Sequence, residues 1–234
     1  EAMMDRMRYA AMIFGVTEHS QGVVESLYLD YLDALNGHFE QYPYLLGWRP
    51  SVGDFGLIAP MYAHLGRDPH PAKLMQQRAV SVHRWVERMN RADQDVPEFF
   101  NAGTEFIDDD EVPESLMTVL RILAEDFVPE TLAAADAING WLTENKPEAG
   151  APAVGRLAQA AGTATFAVRG ETIEALAQPH RFYLLQRVQD DYASLSETEK
   201  AAVDVVLSKS GMTAILDAAL NRRIERADNL EVWV

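Results

Sequence analysis

Tyr44-Leu45-Leu46-Gly47-Trp48-Arg49-Pro50-Ser51-Val52-Gly53-Asp54-Phe55-Gly56-Leu57 is the stretch whose reading decides the fold. Ser51 and Asp54 have the spacing of a capping box. In such a box the Ser oxygen accepts from the backbone N–H three residues on, and the acidic side chain answers the N–H of the Ser. Asp is a shorter variant of the usual Glu or Gln. Pro50 and Phe55 occupy the two places of a hydrophobic staple. A helix is therefore expected from Val52 to about Leu65, carrying Phe55, Leu57, Ile58, Met61, Tyr62 and Leu65. It is apolar around most of its circumference, which predicts a place in the middle of a helical bundle.

Upstream, Glu1 to Phe14 reads as a methionine-rich helix ended by Gly15. Met4, Arg8, Ala11 and Met12 share one face, and Met3, Met7, Ala10 and Phe14 the other. Thr17 is a candidate N-cap for a second helix reaching Gln41, with Val24, Leu27, Tyr28, Tyr31, Leu35 and Phe39 at helical spacing. Tyr42-Pro43 stops it. Downstream, a proline-rich connector leads into a helix predicted over Ala72 to Asn90, whose buried stripe includes Leu74, Met75, Arg78, Val82, Trp85, Val86 and Met89. Arg78, Arg84, Arg88 and Arg91 give this helix its basic flavour, and acidic neighbours make them ion-pair formers rather than an anion site.

Asp93 to Asp110 is a poorly patterned connector ending in the acidic run Asp108 to Glu111, which lacks the alternation and glycine of a calcium loop and suits the N-terminus of the next helix instead. That helix is expected from Pro113 to Glu144, kinked or split by Pro129 near Val128. Lys146 to Gly155, with two prolines and two glycines, is the clearest boundary. Beyond it, Thr163 to Val168 and Thr172 to Leu176 flank Gly170-Glu171 as a β-hairpin. Phe182, Leu185, Val188 and Tyr192 mark a helix, and Ser196 with Glu199 forms a second capping box for a helix ending at Gly211. A short helix over Met212 to Leu220 and a last strand over Leu230 to Val234 complete the chain.

The chain has 234 residues, 48% hydrophobic and 24% charged, with no cysteine and a net charge of −16. That composition is globular, and no apolar run is long enough to span a bilayer. Disulfides, thiol catalysis and zinc–thiolate sites are excluded. The negative charge argues against nucleic-acid and anionic-membrane partners, which would repel this surface. Without an export signal the expected compartment is the cytoplasm. None of the six histidines belongs to HExxH, and no P-loop, GxSxG elbow or GxGxxG is present, so no catalytic residue and no metal ligand is assigned.

Tyr44-Leu45-Leu46-Gly47, followed by Arg49-Pro50-Ser51-Val52-Gly53-Asp54-Phe55, resembles the signature of the C-terminal helical domain of glutathione transferases: "yLlG", a short gap, "pSlADf" and an apolar helix. Gly53 stands where Ala is usual. Pro60-Met61-Tyr62-Ala63-His64-Leu65, Arg67-Asp68-Pro69 and Trp85-Val86-Glu87-Arg88-Met89 look like a bacterial branch of that family, and the match covers roughly residues 1 to 92. The resemblance implies a mainly α protein. Residues 1–145 would form a glutathione-transferase C-terminal-like helical bundle, with residues 146–234 as an α+β extension packed on it. Ser51 and Asp54 would be the fold-defining cap of the family's sixth helix, not catalytic groups. The first helix would correspond to the family's fourth, which lines the electrophile pocket and the dimer interface, making Met4, Met7, Arg8 and Met12 substrate-binding candidates.

Two features depart from the family. No thioredoxin-like domain, the half that binds glutathione and activates its thiol, precedes Met3. The chain opens on Glu1 rather than Met, which reads as processing or as a piece of something longer. Val112-Pro113-Glu114-Ser115 matches two of the family's dipeptides without the hairpin that separates them there, and is read as coincidence. In a full-length context the resemblance implies a homodimer that conjugates or reduces a small hydrophobic electrophile with glutathione, the co-substrate being held mainly by the absent half. Two alternatives stand beside it: a non-catalytic helical binding or assembly module, and a small-hydrophobe-binding protein that uses the methionine-rich helix.

Overall fold

A computed structural model describes residues 2–92, 96–153 and 161–234, with the side chains of residues 2 and 3 excepted. The Met3 side chain, the start of the connector at Asp93, and Val154-Gly155 of the expected boundary lie outside the described residues. The protein is mainly helical with two small antiparallel sheets. Its α-helices are α1 Ala2–Ile13, α2 Gln21–Phe39, α3 Val52–Ala63, α4 Pro69–Arg78, α5 Val80–Met89, α6 Glu114–Asn145, α7 His180–Ser194 and α8 Glu197–Ser210. The strands β1 Thr163–Val168 and β2 Glu171–Leu176 form one hairpin, and β3 Ile224–Ala227 and β4 Leu230–Trp233 the other.

The chain packs as two compact units, Ser26–Ile122 and Glu1–Glu25 with Leu123–Val234. Their limits fall inside α2 and α6, whereas the proline- and glycine-rich stretch after Lys146 lies within one unit. In the unit Ser26–Ile122, Leu32, Leu35, Phe39, Tyr44, Met61, Met75, Val82, Trp85, Leu116 and Val119 build a single core. Phe39 and Trp85 stack at 5.0 Å with 14° between their planes. In the other unit Ile138, Phe166, Phe182, Ile224 and Trp233 are buried. Trp141 stacks on Trp233 at 6.2 Å.

Several elements differ from the sequence expectations. Helix α3 does not fill the middle of a bundle. Asp54 and Met61 are its only fully buried residues, while Val52 is 89% and Phe55 62% exposed. Of the other helices, α5 packs closely against it, so one stripe through Asp54, Ile58, Met61 and Leu65 is turned inward and the rest looks out. The helix expected over Ala72 to Asn90 starts earlier, with Pro69 in its first turn, and breaks at Ala79. The break carries neither glycine nor proline. It is held from α2, where the Asn36 Oδ1 accepts the Ser81 N–H at 2.8 Å. Helix α6 runs through Pro129 unsplit over 32 residues, because side chains on both sides of the proline, Leu116 and Val119 before it and Ile138 and Leu142 after it, are buried.

The extension forms locally as its turns dictate. Arg169 and Gly170, at φ 50° and 86°, close the first hairpin one residue earlier than expected. Asp228 and Asn229, at φ 48° and 62°, close the second, whose first strand had no sequence prediction. Two positive-φ residues match the right-handed strand twist. Ser196 and Glu199 make the expected capping box, and Gly211 ends α8 in the left-handed region. The stretch after Met212 is a 3-10 turn over Thr213–Leu216 rather than an α-helix.

Two glycines have opposite requirements. Gly15 has φ +86°, and a Cβ there would stand 2.6 Å from the Ile173 Cγ2. Gly37 lies within α2 with nothing within 4 Å of its missing Cβ. In urea unfolding, Gly15→Ala is expected to destabilise by about 2 kcal/mol through strain and overpacking. Gly37→Ala is expected to stabilise by about 0.5–1 kcal/mol, because glycine weakens a helix interior.

Candidate functional site

Asp54 sits at the polar centre of the unit Ser26–Ile122. Its side chain is wholly buried. The Leu45 N–H donates to its Oδ1 at 3.1 Å and the Trp85 Nε1 donates to the same oxygen at 2.9 Å. The Ser51 N–H and hydroxyl both donate to Oδ2, at 2.9 and 2.8 Å. Four donors match the acceptor capacity of a carboxylate. The box geometry is present in both directions. The Ser51 hydroxyl is spent on the carboxylate, however, and makes no full cap bond to the helix N–H. One side chain thus fixes the start of α3, the Tyr44–Gly47 turn and the indole of α5.

Beside it lies a second buried group. Arg88 is inside the core, its Nη2 donating to the Pro43 carbonyl at 2.9 Å and its guanidinium 5.5 Å from the centre of the Tyr44 ring. Burial pulls its pKa down from the ordinary arginine value, and the charge of Glu98 opposes that shift. His38 is also fully buried. Its Nε2 lies 3.3 Å from the Tyr44 carbonyl and its Nδ1 2.9 Å from the Ser115 Oγ. A carbonyl only accepts, so Nε2 carries the proton, and Nδ1 accepts from the Ser115 hydroxyl. Burial pushes the imidazole pKa below its ordinary value, partly offset by the Tyr44 carbonyl. His38 and Ser115 resemble a base and nucleophile in spacing, but an imidazole with no exposed surface serves the core.

Among the described residues, hollows open on each of the two units. In Ser26–Ile122 an apolar one of about 430 Å³ is walled by Leu46, Val52, Phe106, Ile107 and Val112, with Ser51, Asp110 and Glu111 also among its lining residues. It adjoins the capping box, and the Arg49 guanidinium lies 5.0 Å from the centre of the Phe106 ring. The chemistry there favours a small hydrophobe, bound by contact rather than by charge. A smaller hollow of about 240 Å³ lies at the start of α5. An open one in the other unit is lined by Gln189, Tyr192, Asp204, Leu216 and Asp217. Phe106 and Ile107 carried no sequence signal, because they lie in a connector without periodicity. The Leu46 N-terminal to the cap did lie in the stretch that carried the fold.

The sequence-derived substrate candidates lie elsewhere. Met4, Met7 and Met12 are exposed on α1, at 58, 51 and 51%, and Arg8 pairs loosely with Asp5 at 3.5 Å. Met4, Arg8 and Met12 lie four apart on one face of the helix and Met7 on the other, and the hollows described above are lined by other residues. Ser51 and Asp54 stand together as expected. Among the described residues no three His, Asp or Glu side chains converge to hold a metal ion, and none of the acidic run Asp108 to Glu111 does so.

Asp54→Asn is expected to cost about 2–4 kcal/mol in chemical unfolding, because an amide nitrogen faces donors it cannot accept from. His38 gives a pH signature. Its folded-state pKa is depressed below 6.5, so the native protein resists protonation and stability falls as the pH drops below that value. His38→Gln keeps one donor and one acceptor without the charge. Between pH 7 and pH 5 its melting temperature is expected to fall less than that of the parent protein, read by circular dichroism.

Compared with family models, curated proteins and solved structures, the chain matches none of them.

Proposed function

We propose that this chain is the substrate-side, assembly-forming helical part of a glutathione-transferase-like protein. Glutathione is held by a thioredoxin-like domain, and its thiolate attacks a small hydrophobic electrophile lying against the helical part. One observation carries the reading. The Ser51–Asp54 pair, which underlies the sequence resemblance, is a buried knot that ties the Tyr44–Gly47 turn and Trp85 to the start of α3. Motif residues that were separate in sequence therefore act as one structural device. The exposed methionines of α1 and the exposed Val52 and Phe55 of α3 supply apolar surface suited to a second body, a domain or a second copy of the chain.

A second reading has its own support. The apolar hollow of Leu46, Val52, Phe106 and Val112 suits a small hydrophobe without any help from glutathione, which favours a non-catalytic binding module. Fold likeness alone does not establish chemistry.

Calorimetry separates the possibilities. The chain alone is expected to show no measurable affinity for glutathione, and tight binding would mean that the helical half itself holds glutathione, against the assignment to a thioredoxin-like domain. The reading frame upstream of the Glu1 codon decides between transferase and module. A thioredoxin-like segment ending shortly before Glu1 supports the transferase, and a promoter with a start codon at that point removes it.

A further inference from the structure

The hollow at the start of α5 brings together cations in a chain of net charge −16. Arg84 and Arg88 reach it from successive turns of the helix. Both bind one carboxylate, Glu98, and both do so at arm's length: 3.4 Å from the Arg84 Nη1 and 3.3 Å from the Arg88 Nη1. The exposed pairs Arg8–Asp5 and Arg49–Glu105 are as loose, at 3.5 and 3.7 Å, but several other arginine–carboxylate pairs close further. Arg78 reaches Asp33 at 2.5 Å, Arg121 reaches Glu114 at 2.6 Å and Arg187 reaches Glu225 at 2.7 Å. Good charge-assisted bonds have lengths near these shorter values. Glu98 is a poor fit for the two guanidinium groups that it serves.

The imbalance is greatest at Arg88. Its side chain is 3% exposed, yet among the described residues its Nε has no hydrogen-bond partner and its Nη1 has the long contact to Glu98. Phe39, Val80 and Phe99 supply the apolar part of the lining. The other acidic group, Glu40, is occupied, since its Oε1 accepts from the Asn36 Nδ2 at 2.7 Å. The first turn of α5 adds the positive end of the helix dipole.

We propose that this hollow binds a small carboxylate carrying one compact apolar group, which takes over Arg84 and Arg88 from Glu98. The incoming carboxylate makes two short charge-assisted bonds where Glu98 makes two long ones, and its apolar group rests on Phe39, Val80 and Phe99. Glu98 pays little for release, because its side chain is already 31% exposed. The small volume, about 240 Å³, restricts the ligand to roughly a single ring. Glu98 acts as a tethered competitor, so the native chain binds weakly, with a dissociation constant on the order of millimolar. The site is independent of the glutathione-transferase reading and survives its failure.

The probe is 4-fluorobenzoate, followed by fluorine NMR on the full chain, with neutral 4-fluorobenzamide as control. The acid is expected to bind and the amide not to. Glu98→Gln removes the competing charge and is expected to tighten the acid by about five-fold or more, while Arg84→Met weakens it by a similar factor. Glu98→Ala, checked for an unchanged melting temperature, gives the same test should the glutamine variant fold poorly. Equal binding of acid and amide, or an affinity that neither Glu98 variant raises, overturns the proposal.

Discussion

The constraint on which the unit Ser26–Ile122 depends is the burial of one carboxylate. Removing a charged group from water costs several kcal/mol unless its oxygens are satisfied. Asp54 meets that condition with four donors taken from three separate places in the chain. The requirement runs in both directions. The turn at Tyr44–Gly47 cannot move without stripping a donor from the carboxylate, and α5 cannot rotate without withdrawing the Trp85 indole. Trp85 in turn stacks on Phe39 of α2, so the polar knot and the aromatic core set each other's geometry.

Around this centre the buried polar groups form a graded series. Asp54 is fully matched. His38 is matched by one donor and one acceptor, in a tautomer dictated by the Tyr44 carbonyl. Arg88 is matched in part, with a firm bond to Pro43, a long one to Glu98 and an idle Nε. A native core usually leaves few polar atoms unsatisfied, and each exception calls for a reason. The first two groups are explained by folding alone. The third is the one whose surroundings leave room for a further partner.

Local signals were the legible part of the fold. The two capping boxes, the glycine stops at Gly15 and Gly211 and the hairpin at residues 163–176 are written in neighbouring residues, and the structure holds them within a residue or two. The misreadings share one cause, which is that the deciding partner lies far away in sequence. The break at Ala79 is held by Asn36, a side chain from another helix. Leu32 and His38 are core residues of α2 that the periodicity did not pick out, beside Leu35 and Phe39, which it did. The apolar circumference of α3 suggested burial on all sides, but periodicity reports only what a helix could bury, not how many neighbours arrive. The site was less legible than the fold. Met4, Met7, Arg8 and Met12 came from a family resemblance that fixes a helix but not its surroundings, and the hollow walls at Phe106 and Ile107 lie where no pattern exists.

The open apolar side of α3 also bears on how the protein behaves in solution. Val52 and Phe55 are sticky at short range, while a charge of −16 repels at long range. The reach of that repulsion is about 10 Å at 0.1 M salt and about 3 Å at 1 M. Colloidal stability is therefore an ionic-strength property of this chain. Dilute buffer keeps molecules apart before their apolar faces can meet, and concentrated salt removes that barrier while strengthening the attraction behind it.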